Sequence, residues 1–188
     1  VSGDTNTVTA SDNNTVAGNT NTVTGMSDNN TVAGNANQVL LDSNNNTVSG
    51  DANLITQGSD SNQVSGFSND LLLDSNNNTV AGNNNTLSDA QANQVAGLTN
   101  SVSTSDNNTV SGTNNTVSVV SDNNTVSGLG NTVTNDSNNN TVSGDTNTLN
   151  DAQANQVSGD TNTVTASDNN TVAGNTNTVT GASDNNTV

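Results

Sequence analysis

Residues 13–18 read NNTVAG, and the three-residue unit inside this stretch, Asn-x-Val, recurs along the whole chain. If Leu or Ile is accepted in place of Val, the unit occurs 24 times in 188 residues. Its Asn never varies, whereas the central residue does. A unit repeated this often predicts a repeat protein whose neighbouring repeats share one core.

The spacing of the aliphatic residues defines the repeat. Between Val1 and Val188, twelve gaps of 7 residues alternate with five gaps of 8 and seven of 9. Two unequal arcs therefore make one coil of 15 or 16 residues, which is too short to bury a core unless coils stack. The sequence predicts an all-β fold, a parallel two-sheet β-solenoid (β-helix) of about twelve coils.

A longer repeat lies above the coil. Residues Val1 to Val32 reappear as Val157 to Val188 with one difference, Met26 against Ala182, at an offset of 156 residues, or ten coils. We therefore expect residues 1–188 to form a single continuous solenoid that is a window of a longer array.

Side-chain alternation predicts which residues point inward. If Val16 is inward, Asn14 and Gly18 are inward too, while Thr15 and Ala17 point to solvent. Stacked Asn side chains could form a hydrogen-bonded ladder, or the Asn could serve as a turn former. The Gly two residues after the Val recurs in every short arc and predicts a tight corner with positive φ or close backbone approach.

Composition narrows the partners. The chain has 17 acidic residues and no Lys, Arg or His, so its net charge is −17. Nucleic acid and anionic membranes are therefore not expected partners. No Cys is present for disulfides, and no apolar run approaches the roughly 20 residues of a membrane span. Disorder is an alternative for a chain this polar, but the strict alternation of arcs argues against it.

The acidic residues are the best candidates for a metal site. Each long arc carries one Asp before the next Asn-x-Val unit, either four or six residues before the Val. Such residues could be solvated turn acids, or they could bind calcium, which prefers carboxylate and carbonyl oxygens. We expect calcium only where neighbouring coils have the Asp in the same register. The predicted metal ligands are Asp12 with Asp28, Asp74 with Asp89, Asp106 with Asp122, and Asp168 with Asp184.

Three large apolar residues depart from the repeat at one register. Phe67, Leu98 and Leu129 each follow a repeat Gly and lie 31 residues apart, which is two coils. They predict a lateral contact between filaments, with a locally larger core or isolated surface residues as the alternative. Further apolar pairs in the long arcs are Leu40–Leu41, Leu72–Leu73 and Val119–Val120.

The repeat resembles the tandem-repeat extracellular β-solenoids that form adhesin stalks and fibres. The outward pairs Thr7/Thr9, Thr22/Thr24, Thr132/Thr134, Thr163/Thr165 and Thr178/Thr180 are also similar to the Thr-x-Thr rows of ice-binding solenoids. The 16-residue period resembles that of bacterial ice-nucleation proteins. These rows are interrupted at Gln38, Leu40, Leu54, Asp70 and Leu72.

Asn-x-Thr/Ser triplets make glycans a possible partner, although such triplets arise easily in a chain rich in Asn and Thr. The acceptor residues are Asn13, Asn29, Asn45, Asn77, Asn84, Asn107, Asn114, Asn123, Asn135, Asn139, Asn169 and Asn185.

The function predicted from the sequence is structural. An extracellular or cell-surface filament, adhesin stalk or matrix fibre fits the repeat, with the chain itself as partner end to end and laterally. A surface that binds ice or calcium is the alternative. The sequence also predicts that the chain is not an enzyme and requires no cofactor, because the usual catalytic bases and nucleophiles, His, Cys, Lys and Tyr, are missing.

Overall fold

The computed structural model describes residues 1–188, and every regular element in it is a β-strand. Five-residue strands alternate along the chain with strands of two or three residues. The residues group into two compact units, Val1–Asn93 and Gln94–Val188. The structure contains no helix with the length and apolar character needed to span a membrane.

The first unit contains two parallel sheets. Its short strands, in sheet order, are β1 (Thr7–Thr9), β3 (Thr22–Thr24), β5 (Gln38–Leu40), β7 (Leu54–Ile55), β9 (Asp70–Leu72) and β11 (Thr86–Ser88). Its long strands are β2 (Thr15–Asn19), β4 (Thr31–Asn35), β6 (Thr47–Asp51), β8 (Gln63–Phe67) and β10 (Thr79–Asn83).

The second unit repeats this arrangement. Its long strands are β12 (Gln94–Leu98), β14 (Thr109–Thr113), β16 (Thr125–Leu129), β18 (Thr141–Asp145), β20 (Gln156–Asp160) and β22 (Thr171–Asn175). Its short strands are β13 (Ser101–Ser103), β15 (Thr116–Ser118), β17 (Thr132–Thr134), β19 (Thr148–Asn150), β21 (Thr163–Thr165) and β23 (Thr178–Thr180). The predicted all-β, parallel two-sheet solenoid is confirmed.

From Val16 to Val179, each coil buries one aliphatic residue from each sheet. Val48 and Ile55, for example, are 1% and 0% exposed, and the strands keep these residues in register with their equivalents in the next coil. From Asn21 to Asn170, the Asn before each strand is buried too, as Asn46 and Asn53 show. The predicted inward position of the invariant Asn is therefore confirmed.

The repeat Gly lies inside the long strand rather than at a corner, which corrects the prediction. Gly66 has a φ of 118°, which L side chains rarely adopt, and a Cβ built there would lie 1.9 Å from the Gly82 carbonyl oxygen. Both predicted reasons for Gly, positive φ and close approach, hold at this position. The turn itself comes two residues later, at Ser68, where φ is 53°.

Each coil has three turns, whereas the sequence suggested two. Left-handed residues occur after the long strand, after the short strand and before the next long strand, as at Thr20, Gly25 and Asn29. A short third side, Ser27–Asp28, connects the last two turns and contains no strand.

The length of the turn after the short strand explains why coils have 15 or 16 residues. Arcs of 8 residues have one left-handed residue there, at Ala10, Asp89, Thr104, Asp151 and Ala166. Arcs of 9 residues have two, at Gly25–Met26, Leu41–Asp42, Gln57–Gly58, Leu73–Asp74, Val119–Val120, Asn135–Asp136 and Gly181–Ala182. The extra residue is therefore taken up outside the strands.

Candidate functional surfaces

The buried Asn residues form two hydrogen-bonded ladders within each unit. The Nδ2 of Asn69 donates to the Oδ1 of Asn53 (2.9 Å), and its backbone N–H donates to the same oxygen (3.1 Å). Nδ2 also lies 2.8 Å from the Gly82 carbonyl oxygen. The second ladder repeats this between Asn62 and Asn46, at 3.1 Å and 2.9 Å. The Asn side chain thus satisfies a buried N–H where the chain changes direction.

A third ladder, of serines, was not recognised in the sequence. The hydroxyl of Ser59 donates to the carbonyl oxygen of Thr56 (2.8 Å), and its backbone N–H donates to the hydroxyl oxygen of Ser43 (3.2 Å). Ala90 and Ala152 replace Ser in two coils and remain fully buried. The recurrence of a small residue three positions before the Asn was the available signal.

Seven of the twelve long-arc Asp residues lie in a fourth column, on the third side of the coil. The Oδ1 of Asp28 accepts a hydrogen bond from the backbone N–H of Asp12, and the Oδ1 of Asp60 accepts one from Asn44, both at 2.5 Å. Asn44 occupies the same column, so a carboxylate is not essential to it. These Asp residues therefore bond to the backbone of the neighbouring coil.

Three of the four predicted calcium pairs are brought into direct contact. Besides Asp12 and Asp28, the backbone N–H of Asp106 donates to Asp122 Oδ1 (2.7 Å), and that of Asp168 donates to Asp184 Oδ1 (2.8 Å). The structure contains no group of three or more carboxylates placed to hold a metal ion. Calcium binding at these pairs stays a prediction.

Asp74 and Asp89 are not in the same register, which corrects the fourth pair. The backbone N–H of Asp89 donates to the Leu72 carbonyl oxygen (3.1 Å), so Asp89 lies beside Leu73. Asp74 instead donates to Gln57 (3.0 Å) and lies beside Gly58. Counting residues backward from the next Val did not reveal this offset, because the turns that contain Asp74 and Asp89 differ in length by one residue.

The three predicted lateral-contact residues are exposed. Phe67 is 51% exposed, Leu98 43% and Leu129 45%, so the alternative of a locally larger core is wrong. In the second unit, Leu98 and Leu129 lie in one column with Thr113 between them. Whether they form a lateral contact stays a prediction.

Apolar residues in the long arcs divide between a turn and a sheet face. Leu41, Leu73, Val119 and Val120 lie in the turn after the short strand and are 49% to 56% exposed. Their chain neighbours Leu40 and Leu72 are half-buried at the ends of short strands.

The outer faces of the short strands differ between the two units. In the first unit, strands β5, β7 and β9 contain all five residues that interrupt the Thr rows: Gln38, Leu40, Leu54, Asp70 and Leu72. In the second unit, the outward residues are hydroxyl-bearing except for Asn150. They are Ser101, Ser103, Thr116, Ser118, Thr132, Thr134, Thr148, Asn150, Thr163, Thr165, Thr178 and Thr180.

The twelve acceptor Asn residues of the Asn-x-Thr/Ser triplets all lie in turns. Each of them has a positive φ and an exposed side chain, as at Asn13, Asn84 and Asn135. Their positions are therefore accessible, and modification by glycans stays a prediction.

The comparisons with known proteins identify no family. No protein-family model matches the chain, and no curated protein matches it. Among solved structures, the chain is similar to an Arabidopsis UDP-N-acetylglucosamine acyltransferase, with 13% identity and a TM-score of 0.29, over 93% of this chain and 70% of the other. It is also similar to the polySia-specific acetyltransferase NeuO, with 10% identity and a TM-score of 0.21, over 98% of this chain and 82% of the other.

These similarities correct the prediction that the chain is not an enzyme. Both solved structures are named as enzymes, one an acyltransferase and one an acetyltransferase. With TM-scores of 0.29 and 0.21, neither similarity carries an activity over to this chain.

Proposed function

We propose that the chain is a structural protein that builds an extracellular filament, adhesin stalk or matrix fibre from stacked coils. The observation that supports this most directly is that the buried polar side chains bond one coil to the next. Asn53, for instance, accepts two hydrogen bonds from Asn69 and donates to Asn37. Side chains used in this way make each coil a template for its neighbour, which suits an extended body.

The lack of cationic side chains also supports an extended assembly. Seventeen carboxylates without one Lys, Arg or His repel each other, and a solenoid spreads them along its length. A lateral contact at the exposed Leu98 and Leu129 is opposed by the carboxylate of Asp145, which lies beside Leu129 in the same column.

The experiment is electron microscopy of the concentrated protein, combined with fibre diffraction. Filaments with a meridional reflection at about 4.8 Å are expected, because that spacing separates hydrogen-bonded strands. Immunolabelling of intact source cells tests the extracellular position. A monodisperse 18.7 kDa particle at high concentration contradicts the filament.

A second function, binding to ice, is favoured by one observation in the second unit. Its outward short-strand residues form two columns of hydroxyl groups interrupted only by Asn150. Hydroxyls on such a sheet repeat about every 4.8 Å between strands and about every 6.6 Å along a strand. Regular spacing of this kind suits a ligand whose surface is itself periodic.

Inhibition of ice recrystallisation tests this second function. The double substitution Thr148→Leu and Thr163→Leu is expected to remove the inhibition. Both residues lie in the hydroxyl column that the first residues of the short strands form in the second unit. The control is Thr47→Leu with Thr79→Leu, on the long strands of the first unit. Equal activity of the two variants contradicts ice binding by this face.

A further inference from the structure

The turn at Val119 and Val120 breaks the pattern of the other turns after short strands. Both residues are left-handed, with φ of 59° and 55°, and are 52% and 53% exposed. β-Branched residues rarely adopt this conformation, because Cβ crowds the backbone. No other turn in this position contains one, apart from Thr104 in a one-residue turn. This turn places two apolar side chains in solvent at a cost in backbone strain.

The two valines form one wall of a shallow depression of about 540 Å³ within the second unit. Asn135, Asp136, Asn150 and Asp151 form the rest of it. Its volume is within the range of small-molecule sites. The surface therefore combines an apolar wall with two carboxylates and two amides.

Hydrogen bonds fix the polar part of this depression. The backbone N–H of Asp136 donates to the Val119 carbonyl oxygen (2.9 Å), which holds the two turns against each other. The Nδ2 of Asn135 donates to Asn150 Oδ1 (3.0 Å). The Nδ2 of Asn138 donates to Asp136 Oδ1 (2.7 Å). These bonds restrain Asn135, Asn150 and Asp136 before any ligand binds, which lowers the entropic cost of binding.

We propose that this depression binds an alkylammonium group, in the form of a lysine side chain of a partner polypeptide. The aliphatic stem of such a side chain packs on Val119 and Val120, and its ammonium group lies between Asp136 and Asp151. Charge complementarity supports this ligand, because the chain has 17 acidic side chains and no cationic side chain of its own. The apolar wall distinguishes an alkylammonium from a metal ion, which gains nothing from valine.

The first experiment measures binding through the valine methyl signals in NMR spectra of the whole chain. Butylammonium is the probe for the lysine side chain, with ammonium and 1-butanol as its polar and apolar halves. We expect saturable shifts of the Val119 and Val120 signals with butylammonium. Binding of ammonium alone, or of 1-butanol alone, is expected to be at least tenfold weaker. Equal or stronger binding of ammonium, or of calcium at the same ionic strength, overturns the proposal.

A comparison of two larger probes identifies the source of the ammonium group. A capped trilysine peptide is expected to bind at least tenfold more tightly than butylammonium, since several lysines share one chain. Spermidine presents the same chemistry without a peptide. Tighter binding of spermidine than of trilysine contradicts a polypeptide partner.

Two double variants distinguish binding at this site from attraction to the overall negative charge of the chain. Val119→Asn with Val120→Gly is expected to weaken trilysine binding at least tenfold while raising the Tm, since it relieves both strained residues. Asp136→Asn with Asp151→Asn is expected to weaken binding equally. Asp42→Asn with Asp74→Asn removes the same charge from turns of the first unit and is the matched control. A loss of binding in the control as large as in the site variants overturns the proposal.

Discussion

Asn69 shows at the scale of one residue why Asn precedes every inward aliphatic side chain. It is fully buried, its Oδ1 accepts two hydrogen bonds from Asn85, and its Nδ2 donates to Asn53 and Gly82. A side chain in this position must accept and donate at once, which an amide does and an aliphatic residue of similar size does not.

The substitution Asn69→Asp tests this requirement. A carboxylate has the same shape but no N–H, so it faces the carbonyl oxygens of Ser65 and Gly82 without a donor. We expect a loss of about 3 kcal/mol or more in the free energy of unfolding, measured in urea at pH 7. The control Asn83→Asp is expected to have little effect, since Asn83 is exposed and Asp51 occupies the same column. Similar losses in both variants contradict the ladder.

The surroundings of Asp70 shift the pKa of its carboxyl group. Asp70 lies in a short strand between Leu54 and Thr86, and burial raises the pKa of its carboxyl group above the usual value of 3.8. A raised pKa means that the folded state holds this proton more tightly than the unfolded state does. The stability that Asp70 contributes is therefore present in acid and is lost as pH rises through its folded pKa.

Asp70→Asn should accordingly stabilise the protein at neutral pH. We expect a rise in Tm of about 1 to 2 °C at pH 7, which is small because the group is only partly buried, and no rise at pH 3. Asp51→Asn removes the same charge from an exposed site and shows how much relief of general repulsion contributes. If the two variants behave alike at both pH values, burial of Asp70 is not the cause.

At the scale of the element, the long strand depends on its fourth residue. The chain there takes a φ near 110° and passes so close to the next coil that no Cβ fits. The sequence predicted both properties from the fixed Gly, but it placed them at a corner. Positive φ is common to turns and bent strands, so the pattern alone could not distinguish them.

Gly66→Ala is expected to cost about 3 kcal/mol or more in unfolding free energy, since a Cβ meets the Gly82 carbonyl oxygen. Gly181→Ala is the control. Gly181 also has a positive φ, of 74°, but no atom lies within 4 Å of its Cβ position, and Ala166 occupies the equivalent place in another coil. We expect that variant to cost about 1 kcal/mol. Equal costs in urea unfolding contradict the steric argument.

At the scale of the whole molecule, the periodicity of the sequence predicted the fold well and the surfaces less well. The 7, 8 and 9-residue gaps predicted stacked coils, because only the strand-like spacing of Val and Asn keeps both inward. The third side of the coil was missed, since Ser27 and Asp28 lie between turns and belong to no strand. The register of Asp74 and Asp89 was mispredicted for the related reason that it depends on turn length.

The calcium sites predicted from the sequence imply a measurable stabilisation. With dissociation constants of 10⁻⁴ to 10⁻³ M, typical of weak extracellular sites, 10 mM calcium adds about 1.4 to 2.7 kcal/mol per site. The midpoint temperature of thermal unfolding should then be higher in calcium chloride than in sodium chloride of equal ionic strength. Asp122→Asn should reduce the difference, and Asp51→Asn should not. Equal midpoints in the two salts mean that screening of the negative charge is the whole effect.

The ladders have a consequence for how such a gene can change. Each coil presents the same donors to one neighbour and the same acceptors to the other, as the step from Asn37 through Asn53 to Asn69 shows. Unequal recombination that removes or duplicates a segment of 15 or 16 residues therefore joins two surfaces that already match. The number of coils can therefore change between generations, and a chain that has gained or lost a coil still folds. Selection can then adjust the length of the protein one coil at a time.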